Sequence, residues 1–334
     1  MNNARKGILA LCSLSLLVFA GLRMAPPAHA AKSKKAKDEG SGSKPIVETH
    51  IHTWQATRPG GIPWPPPANK QLFKDISPKD FEDIAKPLGF KSAGLIEASN
   101  ILADQTKVLD LIKNDKFFTF YAASLEIGSA DFVANLDKLS KDPKFVGIRG
   151  FLWSPEIIPG DEKQIAHLKE LAKRGLSIDI ISRGTKNTKD KVDAIATAVP
   201  DLKIIIDHLG GAKGKTPKPE WVADMEKLAK HKNIYMKFSS FYDMFNPDPK
   251  GSEDNPWKAP TDVDSYKPTF DVLMKTFGPD RLVYGSNWPV VTMGGTLENH
   301  IKIAEDYLAT QDKGVRDKVM YKNAEKFYKR GKLK

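Results

Sequence analysis

Pro45-Ile46-Val47-Glu48-Thr49-His50-Ile51-His52 is an apolar, β-branched run that ends on two histidines one residue apart. It predicts a strand over residues 45–50. Residues two apart on a strand share a face, so His50 and His52 point to the same side. On a helix the same spacing would splay them apart. Two later runs end in the same manner. Residues 203–207 run into Asp207-His208-Leu209-Gly210, and residues 281–285 run into Gly285-Ser286-Asn287-Trp288-Pro289. Further strands are expected over 92–98, 117–123, 146–151, 176–181 and 234–238. Amphipathic stretches such as 78–88, 105–114, 131–139, 162–174 and 219–230 lie between most of them and predict helices. Strand–helix alternation of this kind predicts a parallel sheet with helical crossovers. Eight such units in about 290 residues favour an α/β fold of the (β/α)8 TIM-barrel type over an open doubly wound sheet. No Gly-x-Gly-x-x-Gly follows the first strand to support the nucleotide-binding alternative.

Outward from that core, the N-terminus has a different character. Arg5 and Lys6 precede an apolar stretch from Gly7 to Ala20, and Ala28-His29-Ala30 offers the small residues of a cleavage site. Residues 1–30 therefore read as a signal peptide, with an uncleaved tether as the alternative, and the expected location is periplasmic or secreted. Cys12, the sole cysteine, lies inside this segment, so an exported product has neither disulfides nor thiolate ligands. Residues 31–44 are rich in Lys, Ser and Gly and read as a disordered linker. Residues 45–334 then form one domain. The chain carries 52 basic against 41 acidic residues, a formal net charge of +11. The excess is mostly dispersed lysine, which indicates a solvated surface rather than a nucleic-acid stripe.

Barrel enzymes place their chemistry at the C-terminal ends of the strands. There the chain offers His50 and His52 after the first strand, Glu97 after the second, and Glu126 near the third. Arg149 ends the fourth, Arg183 lies near the fifth, and His208 follows the sixth. Lys237 and Ser239 lie near the end of the seventh, and Asn287 follows the eighth. Three imidazoles, His50, His52 and His208, suit a zinc or manganese ion with one position left open. The opposing reading of each pair is a hydrogen-bonded structural feature. Arg149, flanked by Gly147 and Gly150, suits a carboxylate or a polarised carbonyl, unless it only bridges loops. Arg183 is a weaker instance of the same case, and Lys237 is a further substrate-binding candidate. Trp54, Trp64, Trp153 and Trp288 are placed to stack on a sugar ring or an aromatic acid. The proline-rich residues 58–67 predict a fixed wall or lid. His167, His231 and His300 are expected at the surface. Asn287 cannot take a proton at neutral pH, so Glu97 or Glu48 would have to serve as base.

With these motifs in view, the chain resembles the amidohydrolase-related family, which includes sugar-lactone hydrolases, pyrone-dicarboxylate lactonase and metal-dependent decarboxylases. The resemblance runs from Ile46 to Tyr328. It rests on residues 48–54, Gly147-Ile148-Arg149, residues 207–210, Met236-Lys237-Phe238-Ser239, residues 277–290 and Asn323-Ala324. It implies a distorted (β/α)8 barrel acting on small acidic or sugar-derived substrates, with a divalent metal or, as in some lactonases, without one. Two positions depart from the family pattern. Glu48 stands where the first motif usually begins with Asp, and Asn287 replaces the Asp of the usual Gly-Ser-Asp-Trp-Pro. The resulting expectation is an exported hydrolase of a small lactone, ester or similar carbonyl compound, with His208, Asn287 and Glu97 nearest the chemistry. The alternatives are a barrel that binds a ligand without turnover and a metal-dependent decarboxylase of an unsaturated acid. Oligomeric state stays open.

Overall fold

The structure, a computed structural model, describes residues 44–150, 158, 160–181, 186–247 and 257–331. Eight parallel strands follow one another around a nearly closed barrel: β1 (Ile46–Ile51), β2 (Phe90–Ile96), β3 (Phe118–Ala123), β4 (Phe145–Gly150), β5 (Ser177–Ile180), β6 (Lys203–Ile206), β7 (Ile234–Ser239) and β8 (Leu282–Gly285). Closure comes just beyond the last strand, where the His52 amide donates to the Trp288 carbonyl at 2.9 Å. Each connection carries a helix: α1 (Pro78–Ala85), α2 (Leu102–Ile112), α3 (Phe132–Ser140), α4 (Glu162–Lys173), α5 (Lys186–Ala198), α6 (Pro219–Leu228) and α7 (Lys267–Phe277), with α8 (Leu297–Leu308) after the last strand. The helix starts are chemically marked. Ser77 and Asp80 form a reciprocal capping box on α1, with Pro78 in its first turn, and Asp161 and Thr296 cap α4 and α8. No helix among the described residues is long and apolar enough to cross a membrane.

Two apolar layers result. The larger fills the space between helices and barrel, with Phe81, Phe132, Leu168, Met225, Phe270 and Tyr307 facing the strands' outer sides. The smaller lies inside the barrel and gathers Val47, Phe120, Val146, Ile205, Tyr235 and Val283 with Phe327 and Tyr328 from the C-terminus. The short helix Asn323–Phe327 thus plugs the barrel floor. Tyr328 stacks on Phe120, with ring centroids 4.1 Å apart, while the buried Lys203 ammonium donates to the Phe327 and Lys329 carbonyls. The alternation of a strand carries the interior from this plug up to the open end. The inward steps are Ile205 to Asp207, Tyr235 to Lys237 to Ser239, and Val283 to Gly285 to Asn287.

Gly94 shows how tightly the interior is filled. A Cβ built there would lie 1.9–2.4 Å from three Phe120 ring carbons, and Phe120 is already held by Tyr328. Gly94→Ala is expected to destabilise the fold by about 3 kcal/mol, because neither ring has room to yield. A urea unfolding midpoint within error of the parent would refute this packing.

Candidate active site

The strand ends converge on a buried cluster of charged and imidazole groups. At its centre is Lys237, fully enclosed on β7. Its ammonium lies 2.6 Å from Asp179 Oδ2, 2.9 Å from His50 Nδ1 and 3.3 Å from Asp207 Oδ1. Arg149 approaches Asp207 from the other side, Nε to Oδ2 at 3.4 Å, and lies 3.8 Å from Glu97. Asp179 also accepts from the Tyr328 hydroxyl at 2.7 Å, so the C-terminal plug reaches the charged cluster from below.

The three histidines stand above this network. His50 Nε2 faces His52 Nε2 at 3.2 Å, and the His52 Nδ1 lies 3.0 Å from the Ile96 carbonyl. The His208 ring is 4.4 Å from that of His50, and its Nδ1 meets Ser239 Oγ at 3.0 Å. Burial, reinforced by Lys237, holds the His50 imidazole well below its ordinary pKa; burial and then Arg149 do the same for His52. Burial lowers His208 to about 3 against the opposing Asp207. The imidazoles are therefore neutral. Burial alone would raise Asp207, but Lys237 and His50 outweigh it and keep that carboxylate ionised.

Backbone strain marks the same rim. His208, Ser240 and Asn287, after β6, β7 and β8, all have left-handed φ values of 55°, 56° and 66°. Each costs roughly 1–2 kcal/mol, which the surrounding structure must sustain. Asn287 donates from Nδ2 to Ser240 Oγ at 2.9 Å, whereas its Oδ1 is buried without a hydrogen-bond partner. A buried acceptor left open in this way suits a ligand hydroxyl or a cation.

The donor set fits a divalent metal. Ligand atoms of His50, Asp207 and His208 lie within 4.8 Å of one another. Zinc–nitrogen bonds of about 2.0–2.1 Å at a tetrahedral angle place two imidazole nitrogens about 3.4 Å apart, close to the His50–His52 separation. Neutral imidazoles suit zinc, while the Asp207 carboxylate and the Asn287 amide oxygen suit a harder ion such as manganese equally well.

Several sequence expectations change in position. Lys237 is an internal structural cation and not a surface contact for substrate, because the two-residue alternation of β7 places it below the rim. Trp288 packs against Phe81 of α1, 5.3 Å between centroids, and so belongs to the helix–barrel layer. The Trp54 indole donates to the Leu72 and Lys74 carbonyls and lines a side cavity of ≈ 310 Å³ with Arg58, Ile62, Lys107, Leu111 and Tyr121. The aromatic ring that meets the histidines is Trp64, edge-on to His52 at 5.5 Å; Arg58, paired with Asp104, anchors this proline-rich wall. Glu48 is buried and accepts from the His50 and Ser286 amides, tying β1 to the end of β8; burial raises it to about 7. Glu126 is exposed. His300 is not a surface residue: it is fully buried, stacked on Phe241 and 3.1 Å from the Tyr284 hydroxyl. His167 is also buried, against Phe132, and accepts from the Gly128 amide. Their helices turn these rings toward the barrel, a direction that residue type alone does not reveal. His231 is partly buried beside Asp193. Arg183 and Trp153 lie outside the described residues.

Asp179 and Tyr328 were not anticipated. Asp179 had a signal, since a carboxylate in the middle of the strand Ser177-Ile178-Asp179-Ile180 needs an internal partner.

Comparison with known proteins agrees with this geometry. The amidohydrolase family profile matches residues 47–330. An L-fucono-1,5-lactonase from Burkholderia ambifaria is 26% identical over 259 residues, covering 75% of this chain and 82% of that protein. An L-rhamnono-gamma-lactonase from Scheffersomyces stipitis is 26% identical over 236 residues, covering 62% and 67%. Among solved structures, a zinc-bound amidohydrolase from Burkholderia multivorans superimposes with a TM-score of 0.73 at 17% identity, over 86% of this chain and 99% of that one.

Proposed function

The chain belongs to the amidohydrolase family, and from that premise we propose that it hydrolyses a small sugar-derived lactone, with residues 1–30 directing its export. The lactonase relatives support the substrate class. The observation that carries the reading is the pairing, at one set of strand ends, of the buried Arg149 guanidinium with neutral imidazoles of His50, His52 and His208.

Their weak basicity bears on mechanism. A general base works best with a pKa near the working pH, and an imidazole held near 3 accepts protons poorly. The site is built to activate the carbonyl more than to deprotonate water, and lactones are electrophilic enough to react under such conditions. Arg149 would draw charge onto the carbonyl oxygen, and Asn287 Oδ1 would accept from a ring hydroxyl. Trp64 would cover one face of the sugar. His50, His52 and His208, with Asp207 beside them, would hold a divalent ion, which when bound polarises the same carbonyl. Water adds to the carbonyl carbon, the bond between that carbon and the ring oxygen breaks, and a proton from the water passes to the ring oxygen, which leaves as the hydroxyl of the hydroxy acid.

A panel of aldonolactones, assayed with zinc and with chelator, tests this reading. Turnover above the uncatalysed rate is expected, with Arg149→Met lowering kcat/KM about a hundredfold. No acceleration on any lactone overturns it. Asn287, unable to accept a proton, favours a second reading, a barrel that binds lactones without turnover; saturable binding with no product would establish that one. Release of carbon dioxide from an unsaturated acid in the same panel would instead indicate a decarboxylase.

A further inference from the structure

The hydrogens of the Lys237–His50–His52 chain can be placed by elimination. An ammonium has donors only, so His50 Nδ1 accepts from Lys237 at 2.9 Å, and a neutral His50 then keeps its proton on Nε2. That N–H points at His52 Nε2, 3.2 Å away. The Ile96 carbonyl can only accept, so His52 carries its proton on Nδ1 and presents a lone pair to His50. Lys237 donates to Asp179 and His50, and its ammonium forms an ion pair with Asp207 Oδ1 at 3.3 Å. In this arrangement the ring nitrogen of His50 that would face a metal ion is blocked by a proton.

The opposite tautomer is also within reach. Asp207 Oδ1 lies 3.4 Å from the same His50 Nδ1 and would accept its proton, the carboxylate–histidine pairing that orients metal-bound imidazoles. Nε2 would then turn a lone pair toward the lone pair of His52. Two such lone pairs 3.2 Å apart repel unless a cation lies between them. The space therefore accepts either one proton or one metal ion. Lys237 and Asp207 compete for His50 Nδ1 and thereby choose between them. The exchange moves a proton between ring nitrogens and leaves the imidazole neutral.

We propose that Lys237 is a positioning residue that holds His50 in the tautomer opposing metal binding, so that a divalent ion must displace the Lys237–His50 hydrogen bond to enter. The inference rests on the metal-holding role given to His50, His52 and His208 in the proposed lactonase.

The test uses zinc and cobalt(II) ions without substrate, so lactone assays that fail leave it intact. Nitrogen-15 spectra of the metal-free parent should show His50 protonated at Nε2, and Lys237→Met should move that proton to Nδ1. The same variant should bind zinc at least tenfold more tightly and develop the cobalt absorption at correspondingly lower metal. Loss of a positive charge alone would also favour a cation, so tighter zinc with the Nε2–H tautomer retained overturns the proposal. Zinc affinity unchanged or weaker in a folded variant overturns it as well. Lys237→Met strands Asp179 and Asp207, and the double variant Lys237→Met/Asp179→Asn removes one of those charges if the single one does not fold. If neither folds, the parent decides: His50 protonated at Nε2 supports the assignment, and at Nδ1 refutes it.

Discussion

Asn287→Asp is expected to raise lactone turnover about a hundredfold and to tighten zinc binding, the reverse of the usual outcome for a substitution at a catalytic rim. The backbone permits it, because Asn and Asp both tolerate the left-handed φ of 66° found there. The shape is unchanged as well. The Ser240 hydroxyl, an acceptor for Asn287 Nδ2 at 2.9 Å, would turn its proton from Asp243 to donate to a carboxylate at 287. What changes is chemistry. The buried, unpartnered Oδ1 becomes part of a group that can take a proton from water and add negative charge beside neutral imidazoles. The measurement is kcat at saturating aldonolactone with and without zinc, alongside a zinc titration. Flat or reduced turnover in a folded Asn287→Asp variant would mean that another group, with Glu97 first in line, already serves as base. Glu97→Gln would then abolish activity in the parent.

The fold was legible because each strand is a short, mostly apolar run followed by an amphipathic stretch, and several of the helices carry a cap or a first-turn proline. Expected and observed strand limits differ by no more than two residues at any described end, since chain direction changes sharply at Asp207 or Gly285. The rim was legible for a related reason: polar residues that follow apolar strands in a barrel have one place to go. Side-chain direction was not legible. Lys237 sits one alternation step below Ser239, and only the closed barrel brings it against β5 and β6 partners. Trp288 follows Asn287 directly and so faces the opposite side of the chain. Tyr328 lies 149 residues from Asp179 in sequence, and no local pattern signals that the C-terminus returns under the barrel.

Acid should unfold this protein earlier than its carboxylates alone would dictate. His50, His52 and His300 are all buried to within 2% exposure, and burial depresses each well below the ordinary 6.5. Below pH 6.5 the unfolded chain takes up a proton at each of them while the native state does not. Stability therefore falls with falling pH, by about 1.4 kcal/mol per pH unit for each group. Glu48 works in the opposite direction. Burial raises it to about 7, so between pH 7 and about 4.5 the native state holds a proton that the unfolded chain lacks, and this offsets one histidine. Asp179, also raised by burial, adds a smaller offset at the lower end of that range. His208, which burial lowers to about 3, adds to the loss in the same direction. Even without it, two uncompensated histidines remain, a loss of about 3 kcal/mol between pH 6.5 and 5.0. That is a large share of the roughly 5–15 kcal/mol by which domains are stable. Urea unfolding at the two pH values measures it directly, and equal stabilities would show that the buried imidazoles protonate without unfolding. His300→Gln separates this effect from the active site, since the amide does not titrate and still offers Phe241 and Tyr284 a partner. The slope should drop by about 1.4 kcal/mol per pH unit in that variant while lactone turnover at pH 7.5 is unaffected.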